Sequence, residues 1–279
     1  MIARETPKTQ VLVEPNVKRK LEVLDETLES LLRGEKQIVP QVPGRDVQIL
    51  PIKALPPKKG FSFREGQARL LHDLASIELQ AMELGLRTLI EFPEAPREFR
   101  QRLAEITAEE GLHLQLCLTA MEDLALPWGS FPTHIGLWES VDVNDSLLDR
   151  IAIVHRYLEG SGLDASDTII RRLSGTAASV AENAVRVIRR DEMAHVQFGS
   201  EWYHQLAACE GLEPSQDFAV RIESLFHRIP RRLEPIIAST RHEAGFTDVE
   251  IEALNRLRDR WLNPPADSIH PQKDSSSRK

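Results

Sequence analysis

Cysteine, aromatic residues and long apolar runs are all scarce in this 279-residue sequence. Two cysteines, Cys117 and Cys209, are too few for a disulfide framework, so a reducing cytoplasm is the expected compartment. No apolar run approaches the roughly 20 residues that span a bilayer, and the N-terminus lacks the charged-then-apolar order of a signal peptide. We therefore expect no interaction with a membrane.

Strand-like alternation and the common catalytic motifs are missing too. Aromatic residues make up 5% of the chain, whereas alanine, leucine, glutamate and arginine are plentiful, which favours an all-α fold. The sequence has no Gly-rich phosphate loop, no Gly-x-Ser-x-Gly elbow and no CxxC pair. A net charge of −8 argues against bulk binding of nucleic acid by charge alone.

What the sequence does contain is one pattern that occurs twice. A lone glutamate is followed, about one helical hairpin later, by a Glu-x-x-His, and the spacing is nearly the same in both copies. The six residues are Glu78, Glu110 and His113 in the first copy, and Glu159, Glu192 and His195 in the second.

This pattern predicts a metal centre. A glutamate and a histidine at positions i and i+3 lie on one helix face and can share an ion. The positions one and two turns from Glu78, Glu110 and Glu192 are mostly apolar, so these acids are expected in the interior, where a carboxylate is costly unless it is paired or binds a metal. Four carboxylates and two imidazoles are the ligand set of a four-helix bundle that holds two iron or manganese ions.

The neighbours of Glu159 leave two interpretations open. Gly160 and Gly162 either end the helix after Glu159 or mark a kink or bulge in a helix that continues. His155 lies one turn before Glu159, on the same helix face. It is an extra ligand, a substrate contact or a hydrogen-bonded core histidine, and we favour the last of these roles.

Two further acids directly precede the glutamates of the Glu-x-x-His motifs. Metal-bound histidines usually donate their second N–H to a carboxylate. We hypothesise that Asp191 supports His113 and that Glu109 supports His195. Two solvated acids on a helix flank are the alternative.

The chain is predicted to form four regions. Residues 1–60 are expected to hold an N-terminal helix and a Pro-rich extended arm. Residues 61–210 are expected to form the four-helix bundle, with a long crossover between its second and third helices. Residues 211–262 are predicted to form helices packed on the bundle, and residues 263–279 a disordered tail.

The sequence also predicts a helix cap, a C-terminal helix and a basic region. Ser62 is predicted to cap the first bundle helix with Glu65 as its capping-box partner, and one helix interrupted by prolines is predicted over about 215–243. A basic region is read mainly as a solvated face, with contact to an anionic substrate or RNA as the alternative. Its arginines are Arg171, Arg172, Arg186, Arg189, Arg190, Arg231 and Arg232.

Several short stretches of the sequence, taken together, are characteristic of one protein family. They are 77–81 (IELQA), 92–99 (FPEAPREF), 109–113 (EEGLH), 134–138 (HIGLW), 155–159 (HRYLE) with 162–164 (GLD), and 191–196 (DEMAHV). Together they resemble the DUF455 family of the ferritin-like superfamily, over about residues 40–260. The resemblance implies a ferritin-like bundle with a carboxylate-bridged dinuclear site on the six residues of the pattern. The chain departs from the family pattern at Ser76, where a histidine often stands.

The expected function is that of an O2-dependent di-iron oxidoreductase. Two Fe ions, a Mn/Fe pair or two Mn ions are the expected cofactors, with Glu110 and Glu192 as bridges and one histidine on each ion. A small molecule is the expected substrate, with an unidentified electron donor and a homodimer as one form of assembly. A related ferritin-like branch hydroxylates a modified tRNA adenosine, which makes modified tRNA a second substrate class by analogy.

Two other functions stay open. The chain could bind metal without activating O2, as an iron-handling or peroxide-scavenging protein. It could also be an interaction module that metal merely stiffens.

Overall fold

The computed structural model describes residues 10–264. Within this range the chain is all-helical, as predicted, and its β-structure is an isolated bridge between Ile49 and Thr133. Residues 1–9 of the expected arm and residues 265–279 of the expected tail lie outside the described range. None of the described helices is both long and apolar enough to cross a membrane.

Three long helices and one composite rod pack together in the centre of the molecule. The long helices are α3 (Arg64–Glu91), α4 (Arg97–Asp123) and α7 (Ser179–Cys209). The composite rod consists of α5 (Leu147–Ile151), a π-helical segment (Ala152–Leu158) and α6 (Glu159–Leu173).

The pairing of α3 with α4 follows from their short connection. Pro96 sits at the N-cap of α4, where a fixed φ suits a helix start. The Arg100 guanidinium donates to the Leu89 carbonyl at 2.8 Å and to the Phe92 carbonyl at 3.1 Å. These bonds satisfy carbonyls that the end of α3 leaves without helical partners. A tight antiparallel hairpin results.

The composite rod decides between the two interpretations of Glu159. The helix continues through Gly160 to Leu173, so Glu159 is not at a frayed end, and the π-helical segment directly before it confirms the bulge. Gly160 is required by packing, because a Cβ there would lie 1.9 Å from Nη1 of Arg241. A capping box of Ser146 and Asp149 starts the rod.

The crossover between α4 and α5 lies over α3, and the side-chain amide of Gln80 bonds it at two points. Gln80 on α3 donates from Nε2 to the His134 carbonyl at 3.0 Å and accepts from the Leu137 N–H at 3.1 Å. Trp138 donates from its indole to the carbonyl of Gln41 at 3.1 Å, which joins the N-terminal arm to the crossover. The crossover therefore has a fixed position beside α3.

The N-terminal segment departs from prediction in two places. The expected first helix is two helices, α1 (Val17–Glu22) and α2 (Leu24–Leu32), with a break at Val23. The predicted Ser62 cap is wrong: Phe63 occupies the N-cap of α3, without a side-chain cap. The Phe63 N–H instead bonds the Gly60 carbonyl at 3.1 Å, so the chain turns once before the helix begins.

Three helices follow α7, namely α8 (Pro214–Ser224), α9 (Ala238–Glu243) and α10 (Asp248–Leu262). The prediction of one interrupted helix over 215–243 is wrong, because residues 225–237 form turns and irregular structure between α8 and α9. Pro230 and Pro235 lie in this segment, and a proline removes a backbone donor that a helix needs.

Candidate metal centre

All four long elements bring residues of the repeated pattern into the interior. Glu78 lies on α3, Glu110 and His113 on α4, Glu159 in the first turn of α6, and Glu192 and His195 on α7. Each of the six residues is at most 9% exposed. The helical spacing that put a glutamate and a histidine on one face has therefore placed them on an inward face.

The six side chains form two groups that share a member. Oxygen and nitrogen atoms of Glu78, Glu110, His113 and Glu192 lie within 4.8 Å of one another. Atoms of Glu159, Glu192 and His195 lie equally close together. Both sets offer only buried carboxylate oxygens and imidazole nitrogens, which suit iron, manganese or zinc.

Glu110 and Glu192 stand between the two histidines. Glu110 turns Oε1 toward Nδ1 of His195 at 2.9 Å and Oε2 toward Nδ1 of His113 at 3.6 Å. Glu192 turns Oε1 toward Nδ1 of His113 at 3.9 Å and Oε2 toward Nδ1 of His195 at 3.8 Å. Each of these carboxylates thus presents one oxygen to each half of the cluster, which is the arrangement that a bridging ligand requires.

Many polar atoms of this cluster are buried and have no hydrogen-bond partner. They include both carboxylate oxygens of Glu110, one oxygen each of Glu159 and Glu192, and Nδ1 of His113 and of His195. A buried acceptor without a partner costs on the order of 1–3 kcal/mol, more when it is charged. These atoms are lone-pair donors directed at common points, so the cluster fits metal ions.

The charges of the cluster also fit metal ions. Burial opposes protonation of His113 and His195, yet the nearby carboxylates raise the pKa of each imidazole to about 11. Burial raises the pKa of Glu78 to about 8 and that of Glu192 well above its usual value, while the histidines hold the pKa of Glu110 low against the effect of burial. The pocket therefore demands positive charge, which divalent ions bound at the same lone pairs would supply.

The outer nitrogens of both histidines face the acids that precede the motif glutamates. Nε2 of His195 lies 2.7 Å from a Glu109 carboxylate oxygen, in a hydrogen bond. Nε2 of His113 lies 3.5 Å from an Asp191 oxygen, and Asp191 is also paired with Arg190. Nδ1 of each ring points inward, so the outer acids favour the tautomer that leaves Nδ1 free for an ion.

His155 forms a hydrogen bond to the cluster from one turn before Glu159. Its Nδ1 lies 2.8 Å from Oε1 of Glu159, and its ring packs edge-on against Phe198. The backbone of α7 comes close because Gly199 has no side chain; a Cβ there would lie 2.6 Å from the Cβ of His155. His155 is therefore placed to hold the Glu159 carboxylate.

The sequence itself places the chain among known proteins. A family model described as a protein of unknown function (DUF455) matches residues 13–252. The chain belongs to the DUF455 family. An uncharacterized protein of Haemophilus influenzae is 33% identical over 204 residues, which cover 70% of each chain. No solved structure matches the sequence.

In this DUF455 chain, Ser76 contacts the residue that holds the crossover. The Gln80 amide lies 3.0 Å from the Ser76 carbonyl and 3.4 Å from its hydroxyl. A substitution at position 76 would therefore alter the contact with Gln80, which joins α3 of the candidate centre to the crossover.

Three of the seven arginines of the basic region pair with neighbouring acids. Arg186 pairs with Glu182, Arg189 with Asp167 at 2.5 Å, and Arg190 with Asp191 at 2.8 Å. These pairs agree with a solvated face better than with a phosphate-binding surface.

Arg232 differs from the other arginines, and the sequence did not single it out. It lines an apolar pocket beside the cluster, together with Glu78, Glu159 and Glu192. Its Nε is buried without a hydrogen-bond partner in residues 10–264. In the sequence, Arg232 stands among other charged residues after α8, and nothing there predicts that it lines a pocket.

Proposed function

We propose that this protein is a ferritin-like dinuclear metal oxidoreductase that uses O2 to oxidise a small molecule. The observation that carries the proposal is the set of unpartnered buried oxygen and nitrogen atoms that four helical elements direct at shared points. A protein interior rarely keeps such atoms without a partner, and functional sites are the usual exception.

Each ligand has a distinct role in the proposal. Glu110 and Glu192 would help to hold both ions, since each faces both histidines. Glu78 and His113 would help to hold one ion, and Glu159 and His195 the other. Four carboxylates and two neutral imidazoles then balance two divalent cations, which removes the cost of burying the acids together.

Two iron or manganese ions held here supply the redox chemistry that amino acid side chains lack. Oxidation of one C–H bond converts R–H, O2, two electrons and two protons to R–OH and water, with the electrons coming from an external reductant. The chain's own contribution is to fix the ligands and to keep bulk water out. Glu109, Asp191 and His155 hold ligand side chains in place from outside.

The adjoining pocket supports an oxidase or oxygenase over iron storage. The pocket is lined mainly by apolar side chains and reaches three of the six candidate ligands. An organic molecule bound there would be next to the metal centre, whereas storage requires no such pocket. The paired arginines on the surface favour a small molecule over tRNA.

Loading with Fe(II) followed by exposure to O2 tests the proposal. The protein should take up two Fe(II) per chain without air and then develop near-ultraviolet and visible absorption with O2. Glu110→Ala should show neither response, while Glu105→Ala, an exposed glutamate on the same helix, should behave like the native chain.

Three outcomes would contradict the proposal. Iron uptake far beyond two ions per chain in large multimers would indicate storage. Rapid consumption of added peroxide without reaction with O2 would indicate peroxide scavenging. A normally folded Glu110→Ala variant that loses a protein partner without any redox change would indicate an interaction module.

A further inference from the structure

The pocket beside the cluster is narrow and mostly apolar. It has a volume of about 110 Å³ and lies between α3 and α6. The side chains that make it apolar include Leu74, Ile77, Leu84, Val154, Leu158 and Ile169. A cavity of ~150 Å³ with such walls admits benzene, which has six carbon atoms, so this pocket has room for roughly four or five carbon atoms.

Three of the partly exposed residues that line the pocket have little or no side chain. Gly162 and Ala165 on α6 and Ala81 on α3 line the pocket and are partly exposed. A Cβ added at Gly162 would meet no atom within 4 Å. The small residues therefore leave an opening through which a slender molecule can enter.

Arg232 is the one positively charged residue among the described residues that line this pocket. Its Nε is buried without a hydrogen-bond partner, and no carboxylate of the described chain pairs with it. By contrast, Arg241 pairs with the Asp164 carboxylate and Arg156 with the Glu250 carboxylate. Arg232 is half-buried, and an anionic group of a ligand in the pocket would supply the partner that the described chain does not provide.

We propose that the pocket binds a short aliphatic carboxylate, with the carboxylate on Arg232 and the carbon chain between α3 and α6. A guanidinium matches the planar, singly charged carboxylate in a bidentate pair, and the apolar walls match the chain. The volume favours about four or five carbon atoms beyond the carboxylate and leaves no room for a nucleoside.

This assignment also predicts which part of the molecule reacts, and on that point it rests on the proposed function. Glu78, Glu159 and Glu192 line the same pocket as Arg232. A carboxylate held by Arg232 directs the other end of the chain at these glutamates. The carbon that is oxidised is then one that lies far from the carboxylate. O2 and an external reductant are the co-reactants.

Ligand-observed NMR on the full, metal-loaded chain tests the assignment with three probes of equal length: hexanoate, 1-hexanol and hexylamine. Hexanoate should bind about tenfold more tightly than the other two, since a charge-assisted pair adds on the order of 1.4 kcal/mol. Arg232→Met should remove this preference and leave the affinity for hexanol unchanged.

Two further variants serve as controls. Arg231→Met makes the same change at the exposed neighbour, whose guanidinium bonds the Trp261 carbonyl, and should keep the preference. Gly162→Leu should fill the opening and weaken binding of all three probes at least tenfold, with unchanged circular dichroism and metal content.

Equal affinities for hexanoate and hexanol in the native chain would overturn the assignment. So would a preference that survives Arg232→Met, because the carboxylate would then be binding a metal ion or another group. The metal content of the same samples separates the two proposals. Hexanoate bound through Arg232 in a chain that takes up no metal contradicts the dinuclear centre alone, and two ions without a hexanoate preference contradict the pocket assignment alone.

Discussion

Two buried clusters of charged side chains meet at the π-helical segment and differ in how the chain satisfies them. His155 belongs to the candidate metal-binding cluster, and the next residue, Arg156, belongs to a cluster with residues of α8 and α10. Most side chains of both clusters are buried. The comparison therefore separates the effect of burial from the effect of pairing.

The Arg156 cluster is satisfied by the chain itself. Arg156 makes a bidentate pair with Glu250 at 2.9 and 2.8 Å, and Glu250 also bonds His204 at 2.8 Å. The guanidinium lies over the rings of Phe218 and Phe246 at 4.1 and 4.2 Å. Within this pair, Nε of Arg156 is the atom left without a partner. Such a cluster needs nothing from outside.

The chain does not satisfy the candidate metal-binding cluster in this way, because the cluster has more acids than groups that could neutralise them. The carboxylate oxygens of Glu110 have no hydrogen-bond partner, although they lie next to both histidines. The difference agrees with a structural role for the Arg156 cluster and with the proposed binding of cations by the other.

Glu110→Ala is expected to have the largest effect. It removes an acid that faces both histidines, so both ions lose a ligand. Metal affinity should fall by more than about 1,000-fold, beyond the 10–100-fold typical of an outer partner. Metal analysis after gel filtration measures this. Glu105→Ala on the same helix is the matched control, and metal retained at the native level by Glu110→Ala would contradict the assignment.

Glu250→Ala should leave metal binding intact and weaken the fold. It strands the buried Arg156 guanidinium, and breaking a buried ion pair on one side costs about 3–5 kcal/mol. Urea unfolding measures the loss. Glu252→Ala, on the exposed side of the same helix, breaks only a surface pair with Arg256 and should cost less than about 1 kcal/mol. Equal losses in the two variants would refute the contrast.

The pH dependence of stability should show the same Glu250 interaction. His204 and Arg156 outweigh the effect of burial and lower the pKa of Glu250 to about 2. A lowered carboxyl pKa gives stability that is present above the unfolded value of 4.5 and is lost as pH falls toward 2. The difference in unfolding free energy between the native chain and Glu250→Gln should shrink by about 3 kcal/mol over that range. A difference that stays constant with pH would contradict the prediction.

Substitution of the outer acids should have the smallest effects. Glu109→Gln and Asp191→Asn should each lower metal affinity by about 10–100-fold without loss of fold. The Glu109 variant should lose more, because its contact with His195 is 2.7 Å whereas that of Asp191 with His113 is 3.5 Å. Competition with a chromophoric chelator measures both. Native affinity in both variants would mean that these acids are merely solvated.

The sequence predicted the helices and the approach of the six residues because both follow from local geometry. A spacing of three places a glutamate and a histidine on one face, and the apolar neighbours predict that this face is buried. The turn between α3 and α4 likewise contains two prolines, Pro93 and Pro96, which a helix interior does not tolerate. These features depend on residues close together in the chain.

The features that the sequence did not predict depend on distant residues. The start of α3 at Arg64 follows from a turn at Gly60, not from the expected cap at Ser62. Continuation of the helix past Gly160 depends on Arg241 packing against it from α9. The position of Arg232 in the pocket wall depends on the irregular segment after α8, which has no periodicity to read.

Anaerobic titration with Fe(II), with bound iron counted after removal of free ions, tests the central claim most directly. We predict saturation at two ions per native chain and less than one in Glu110→Ala, with both proteins folded by circular dichroism. Saturation below one ion in the native chain, or equal uptake by the two proteins, would contradict a dinuclear centre at these six residues.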